Sequence, residues 1–232
     1  MKKLLLLLIL LATAGMIKAQ DIYYSGYHTS SNGQKYAHVY LNGNSYDNLA
    51  VSSYDCNSDA VFVDENTGDV YWVINYNNSF RIKKNHESNN VVSETNAHIN
   101  RIVRGGSSAF YALGYVIEDG VKRAAYWQAD GTKKILGNTS YNSEITGGYL
   151  AYGGVGDDAS RRIYFCGYQY TSSSSYEGKV WNGAVGVALS IENVKFYDLV
   201  YYDKCFYITG RNSSNVGVVY KGLTLVHTCR NV

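Results

Sequence analysis

Ile22-Tyr23-Tyr24-Ser25-Gly26-Tyr27 is a short run that the chain repeats. It returns as Phe110-Tyr111-Ala112-Leu113-Gly114-Tyr115, as Ile163-Tyr164-Phe165-Cys166-Gly167-Tyr168 and as Phe206-Tyr207-Ile208-Thr209-Gly210-Arg211. A degenerate copy, Val70-Tyr71-Trp72-Val73-Ile74-Asn75, carries Ile in place of Gly. Anchored on Tyr23, Tyr71, Tyr111, Tyr164 and Tyr207, the copies are spaced by 48, 40, 53 and 43 residues. A second signal trails each good copy: Tyr40-Leu41-Asn42-Gly43, Tyr126-Trp127-Gln128-Ala129-Asp130-Gly131, Val180-Trp181-Asn182-Gly183 and Val219-Tyr220-Lys221-Gly222. Asn-Gly and Asp-Gly favour hairpin turns because both residues tolerate positive φ. Two ordered signals returning four times mark a repeat architecture.

Each unit reads as four short strands. Strand a is the Tyr-x-x-Gly run, b leads into the Asn-Gly turn, and c leaves it. Strand d is the apolar run before the next unit: Ala60 to Val63, Ile99 to Val103, Tyr149 to Tyr152 and Leu199 to Tyr202. A sheet this small cannot bury both faces alone, so units must pack on one another. Four-stranded units of roughly 40–50 residues are the signature of propeller blades. The expected fold is all-β: a closed β-propeller of about five four-stranded blades, with strands a nearest the axis. The fifth unit (206–232) supplies a, b and c, with Asn231-Val232 as at most the start of a fourth strand. A truncated longer propeller is the alternative.

Composition agrees with strands. The 232 residues include 24 Tyr, 23 Gly, 3 Trp and no Pro. Tyr suits a pleated, half-buried surface, and no long stretch outside the first twenty residues has helical periodicity. The paired motifs resemble secreted bacterial repeat proteins whose units read roughly Val-Tyr-Val-Ala-Gly-Tyr and then Tyr-Trp-Lys-Asn-Gly. That resemblance covers about residues 22–227. It implies β-propeller blades and no catalytic residues, and the second unit departs from it at Ile74.

Residues 1–19 read as a cleaved signal peptide: Lys2 and Lys3, an apolar run Leu4 to Ala12, then Ile17-Lys18-Ala19. The run is shorter than the roughly 20 residues of a membrane-spanning helix. The expectation is an exported protein, periplasmic or extracellular, with one domain over residues 20–232. Without Lys2, Lys3 and Lys18, the 21 basic residues fall to 18 against 19 acids. The remaining Lys/Arg pairs are isolated, which argues against nucleic-acid binding. Four cysteines in an exported chain allow two disulfides. Cys56 and Cys229 are the candidate pair, bridging the last blade to the first. Cys166, in an apolar run, reads as a buried thiol. The His residues are scattered, so no metal site and no cofactor is expected.

Asp64-Glu65-Asn66-Thr67-Gly68-Asp69 reads as turn chemistry over a Ca²⁺ loop. Gly153 to Asp158 reads as a turn over a phosphate cradle. Loop acids such as Glu118, Asp119, Glu144, Glu177 and Glu192 form no evident glycosidase pair. Because strands alternate in direction, a–b and c–d loops share one face. Four long ones (His28–Lys35, Ser52–Asp59, Asn138–Glu144, Gln169–Glu177) are rich in Tyr, Ser, Asn and Gly, a composition suited to binding. Tyr27, Tyr54, Tyr115, Tyr141, Tyr168, Tyr170 and Tyr176 are the candidate ligand-binding residues. The leading expectation is a monomeric, non-enzymatic module for a glycan or protein partner. The alternatives are a polysaccharide-acting enzyme and a structural envelope component.

Overall fold

The computed structural model describes residues 21–49, 51, 54–105, 108–137, 140–151, 162–183 and 186–229. The expected leader (1–19), the Gly153 to Asp158 turn and Asn231-Val232 lie outside these. The described residues form nineteen strands and no helix. They make five antiparallel meanders. The first has β1 (Tyr23–Thr29), β2 (Lys35–Leu41) and β3 (Asn44–Leu49). The second has β4 (Val61–Val63), β5 (Val70–Tyr76), β6 (Ser79–Lys84) and β7 (Asn90–Thr95). The third has β8 (Ala97–Arg104), β9 (Phe110–Glu118), β10 (Val121–Gln128) and β11 (Lys133–Ile135). The fourth has β12 (Ser143–Ala151), β13 (Arg162–Tyr170), β14 (Tyr176–Asn182) and β15 (Gly186–Glu192). The fifth has β16 (Val194–Tyr202), β17 (Cys205–Asn212), β18 (Gly217–Lys221) and β19 (Thr224–Thr228).

The all-β reading holds, but the phase of the repeat is corrected. The d runs do not close their own units. Each becomes the leading strand of the next sheet, pairing with the following Tyr-x-x-Gly strand: β4 with β5, β8 with β9, β12 with β13, β16 with β17. Strands a therefore lie second in order and not at the leading edge. The fifth sheet is complete, and the first is the one with three strands.

The repeated glycine explains this phase. A Cβ on Gly114 would lie 1.8 Å from the carbonyl oxygen of His98 in β8. The corresponding distance is 1.9 Å for Gly167 and Glu144 O, and 2.5 Å for Gly210 and Lys195 O. The leading strand crosses so closely that only Gly fits beneath it. In the second sheet the leading strand is irregular there, with only an isolated bridge between Asn57 and Asn75. Ile74 occupies the glycine position without that constraint.

Successive sheets bury facing surfaces against one another, so the three middle sheets are covered on both faces. Trp72 and Ile74 face Ala37, Val39 and Cys56 of the first sheet and its connection. Phe80 and Ile82 pack with Trp127, and Phe165 and Trp181 pack with Leu113 and Tyr126. Phe196 and Ile208 pack with Tyr164 and Cys166. The anchoring tyrosines reach forward to the next sheet: Tyr71 to Phe110 at 4.9 Å, Tyr111 to Phe165 at 6.0 Å and Tyr164 to Phe206 at 4.8 Å between ring centroids. Such tilted and edge-on pairs add about 0.5–1.5 kcal/mol each beyond burial. Five sheets thus share four core clusters. Among the described residues, no contact of that extent joins the fifth sheet to the first.

Polar latches reinforce the stack. β8, β12 and β16 each carry a bulge, at Asn100, Thr146 and Tyr197. Asn100 Nδ2 donates to Ile145 O (2.8 Å), and Thr146 Oγ1 donates to Phe196 O (2.7 Å). Asn100 and Thr146 thereby tie their sheets to the backbone of the next, a use of bulges to re-aim a side chain.

The expected Cys56–Cys229 bridge is not formed in the structure, where all four cysteines are free. Cys56 is buried with the Trp72 cluster, where its sulfur accepts from Val51 N (3.3 Å). Cys229 is exposed beside Gly217 on the fifth sheet. Cys166 is buried as expected, and burial pushes its thiol pKa up. The acidic segment Asp64 to Asp69 is a turn closed by Asp64 N to Asp69 O (2.8 Å) and Gly68 N to Asp64 O (2.7 Å).

Candidate functional site

The residues just before the apolar run of each leading strand occupy equivalent places in the repeat. They pair with the last position of the Tyr-x-x-Gly motif on the neighbouring strand. The pairs are Asn57 with Asn75, His98 with Tyr115, Glu144 with Tyr168 and Lys195 with Arg211. One backbone geometry is reused four times, while the side chains change from amide to imidazole, carboxylate and ammonium. The scaffold positions repeat and the chemistry does not.

At one end, Asp59, Asn75 and His98 form a polar cluster between the second and third sheets. Asn75 is buried, and its amide is doubly engaged: Nδ2 donates to Ile99 O (2.7 Å), and Oδ1 accepts from Ile99 N (3.1 Å). Asn75 Nδ2 also donates to Asp59 Oδ2 (2.6 Å), and Asn57 donates to the other Asp59 oxygen. His98 Nε2 lies 3.5 Å from Asp59 Oδ2, with its ring stacked on Tyr115 at 5.4 Å and 14°. Burial lowers the His98 pKa below 6.5, aided by Lys122 and opposed by Asp59 and Glu144. The imidazole is therefore neutral at pH 7.

A cavity of about 250 Å³ opens over this cluster, lined by Lys35, Asp55, Asn57, Asp59, Asn75 and His98 among others. Its rim is aromatic. Lys35 Nζ lies over the Tyr27 ring at 4.6 Å, and Tyr76, which lines the cavity, has Tyr54 6.5 Å away. Tyr27 is 51% and Tyr54 44% exposed.

The other candidate tyrosines are placed differently. Tyr168 Oη donates to Glu144 Oε2 (2.8 Å), and Asn100 Nδ2 donates to Glu144 Oε1 (2.8 Å). Burial and then the Glu144 charge raise the Tyr168 pKa. Lys195 Nζ sits 4.4, 5.2 and 5.2 Å from the ring centroids of Tyr168, Tyr170 and Tyr176, and it donates to Tyr170 Oη (3.1 Å). These three rings cage the protein's own ammonium by cation–π contact. Tyr115 is likewise engaged, between His98 and Lys122 Nζ (4.1 Å). Tyr141 is exposed in the connection before β12.

Sequence reasoning thus located Tyr27 and Tyr54 on an open rim, but it missed Asn75, Tyr76, Asp59 and His98 beneath them. A usable signal existed: His98-Ile99, Glu144-Ile145 and Lys195-Phe196 each set a polar residue before a buried apolar one at the same repeat position. Outside the four long loops, several connections are tight. Asn77-Asn78 and Asp119-Gly120 are tight turns with positive φ, and Asn96 and Asn193 alone link successive sheets. Asn and Gly tolerate this left-handed backbone, so a two-sheet junction needs only one residue.

Among the described residues, no three His, Cys, Asp or Glu side chains gather as metal ligands. No described helix is long and apolar enough to cross a membrane. Compared with known proteins, the chain matches no protein-family model and no curated protein sequence.

Proposed function

We propose that this chain is an exported glycan-binding protein, a β-propeller whose blades are the five sheets. The propeller reading is supported by the leading strands. β4 contacts β8, β8 contacts β12 and β12 contacts β16, as strands around a common axis do. Export rests on the reading of residues 1–19, and N-terminal sequencing of secreted protein should begin at Gln20.

One observation carries the glycan reading: the cavity over Asp59, Asn75 and His98, lined by Tyr76 with Tyr54 beside that ring. A sugar offers hydroxyls to amides and carboxylates and a C–H face to an aromatic ring. Pockets that take drug-sized ligands span roughly 300–1,000 Å³, so this one suits a single sugar residue with the rest of the chain lying along the rim. Asp59 is held through both oxygens by Asn57 and Asn75, a fixed acceptor and not a mobile acid.

The test is a glycan array probed with residues 20–232, with a reducing-sugar assay run in parallel. Retention of a glycan that Tyr54→Ala weakens, without release of reducing ends, supports the reading. Release of reducing ends replaces it with the enzymatic alternative. An array with no bound glycan sinks it in favour of a protein partner.

A further inference from the structure

We propose that the free edge of β1 is a receptor for an extended peptide strand from another protein, with Gly26 as its key position. Four of the five sheets have a leading strand laid against the Tyr-x-x-Gly strand, and among the described residues the first has none. A Cβ on Gly114, Gly167 or Gly210 would strike that strand's carbonyl, whereas a Cβ on Gly26 meets no described atom within 4 Å. The first sheet keeps the glycine without the strand that makes it necessary in the other sheets. Among the described residues β1 has only β2 as a strand neighbour, so its outer edge carries no ladder, and Gly26 O accepts a single bond from Ser58 N (3.0 Å) in the connection before β4. Strand addition to such an edge is an established mode of peptide recognition.

The chain's own leading strands define the occupant's chemistry. Opposite Gly114, Gly167 and next to Gly210 stand Ile99, Ile145 and Phe196, each fully buried and each preceded by a polar residue. Two of the three strands carry a second buried aliphatic residue three places on, Ile102 and Leu199. The fitting segment is therefore polar, then Ile or Phe, then two variable residues and Ile or Leu. The first sheet has a place for the Ile or Phe. A cavity of about 240 Å³ lies between His28, Ser30, Tyr36, His38 and Asn48. Strand register puts His28, His38, Tyr36 and Asn48 on the same face as Gly26. An apolar side chain entering beside Gly26 would lie against these rings. His38 is already buried there, with Tyr40 stacked on it at 4.1 Å.

The probe is a fluorescent peptide copying β8, Ala97–Arg104, added to residues 20–232 and read by anisotropy and by amide hydrogen exchange. Saturable binding with new protection confined to β1 is expected, and a peptide with Asp in place of Ile99 should not bind. Gly26→Ala should melt with the wild type and retain the glycan response, yet bind the peptide about tenfold more weakly or worse, since the Cβ then meets the incoming backbone. No peptide binding, wild-type binding by Gly26→Ala, or protection elsewhere overturns the proposal. Early melting of Gly26→Ala also overturns it, because the edge would then already be filled.

Discussion

Gly167→Ala tests the close crossing that organises the third, fourth and fifth sheets. The new methyl would lie 1.9 Å from Glu144 O, 2.9 Å from Glu144 C and 3.0 Å from Ile145 Cα, where ordinary contact begins at 3.4 Å. All three atoms are backbone, so no rotamer change relieves the clash and β12 must retreat. Overpacking of this kind costs about 1–3 kcal/mol. The retreat also pulls Glu144 from Tyr168 and Asn100, and two weakened hydrogen bonds add about 1 kcal/mol each. The sum is about 3–5 kcal/mol, and at about 2–4 °C per kcal/mol for a chain of this size the melting temperature should fall by roughly 6–20 °C. Calorimetry of the purified variant beside wild type measures this directly, with Gly26→Ala as the unclashed control. If Gly167→Ala melts within about one degree of wild type, the crossing is not the reason for the glycine.

Other outcomes follow from the site and the cysteines. Tyr54→Ala and Tyr27→Ala should each weaken glycan binding by about 1–3 kcal/mol, a range borrowed from base stacking, with melting temperatures nearly unchanged; titration calorimetry and melting curves separate the two effects. Tyr168→Phe should instead lose about 1–2 kcal/mol of stability by removing the bond to Glu144, which urea unfolding would register. Burial lowers the pKa of both His98 and His38 below 6.5, so the unfolded chain takes up protons first as pH falls. Their contribution is present above about pH 6.5 and is lost below it, and His98→Gln should flatten the decline in urea midpoint between pH 7 and 5. Native-state alkylation should label exposed Cys229 fastest and leave Cys56 and Cys166 untouched until denaturation; a Cys56–Cys229 peptide in a non-reducing digest would contradict the packing of Cys56.

The sequence by itself determined the strand content and the repeat, because Tyr-x-x-Gly alternation, Asn-Gly turns and the absence of Pro are local properties of the backbone. It offered Tyr27 and Tyr54 among seven candidate ligand-binding tyrosines because they lie in or beside turn-rich loops. The phase of the repeat was not local. Whether Ile99 to Val103 ends one sheet or begins the next depends on which neighbour it hydrogen-bonds, and both readings use the same order of strands. Only the tertiary structure showed that β8 crosses Gly114 and that the first sheet is the incomplete one. The site depended on that phase. Asn75 and His98 lie 23 residues apart in the chain, and Asp59 belongs to a connection with no strand signal. Their meeting required two sheets to pack, and so did the caging of Lys195 by Tyr168, Tyr170 and Tyr176.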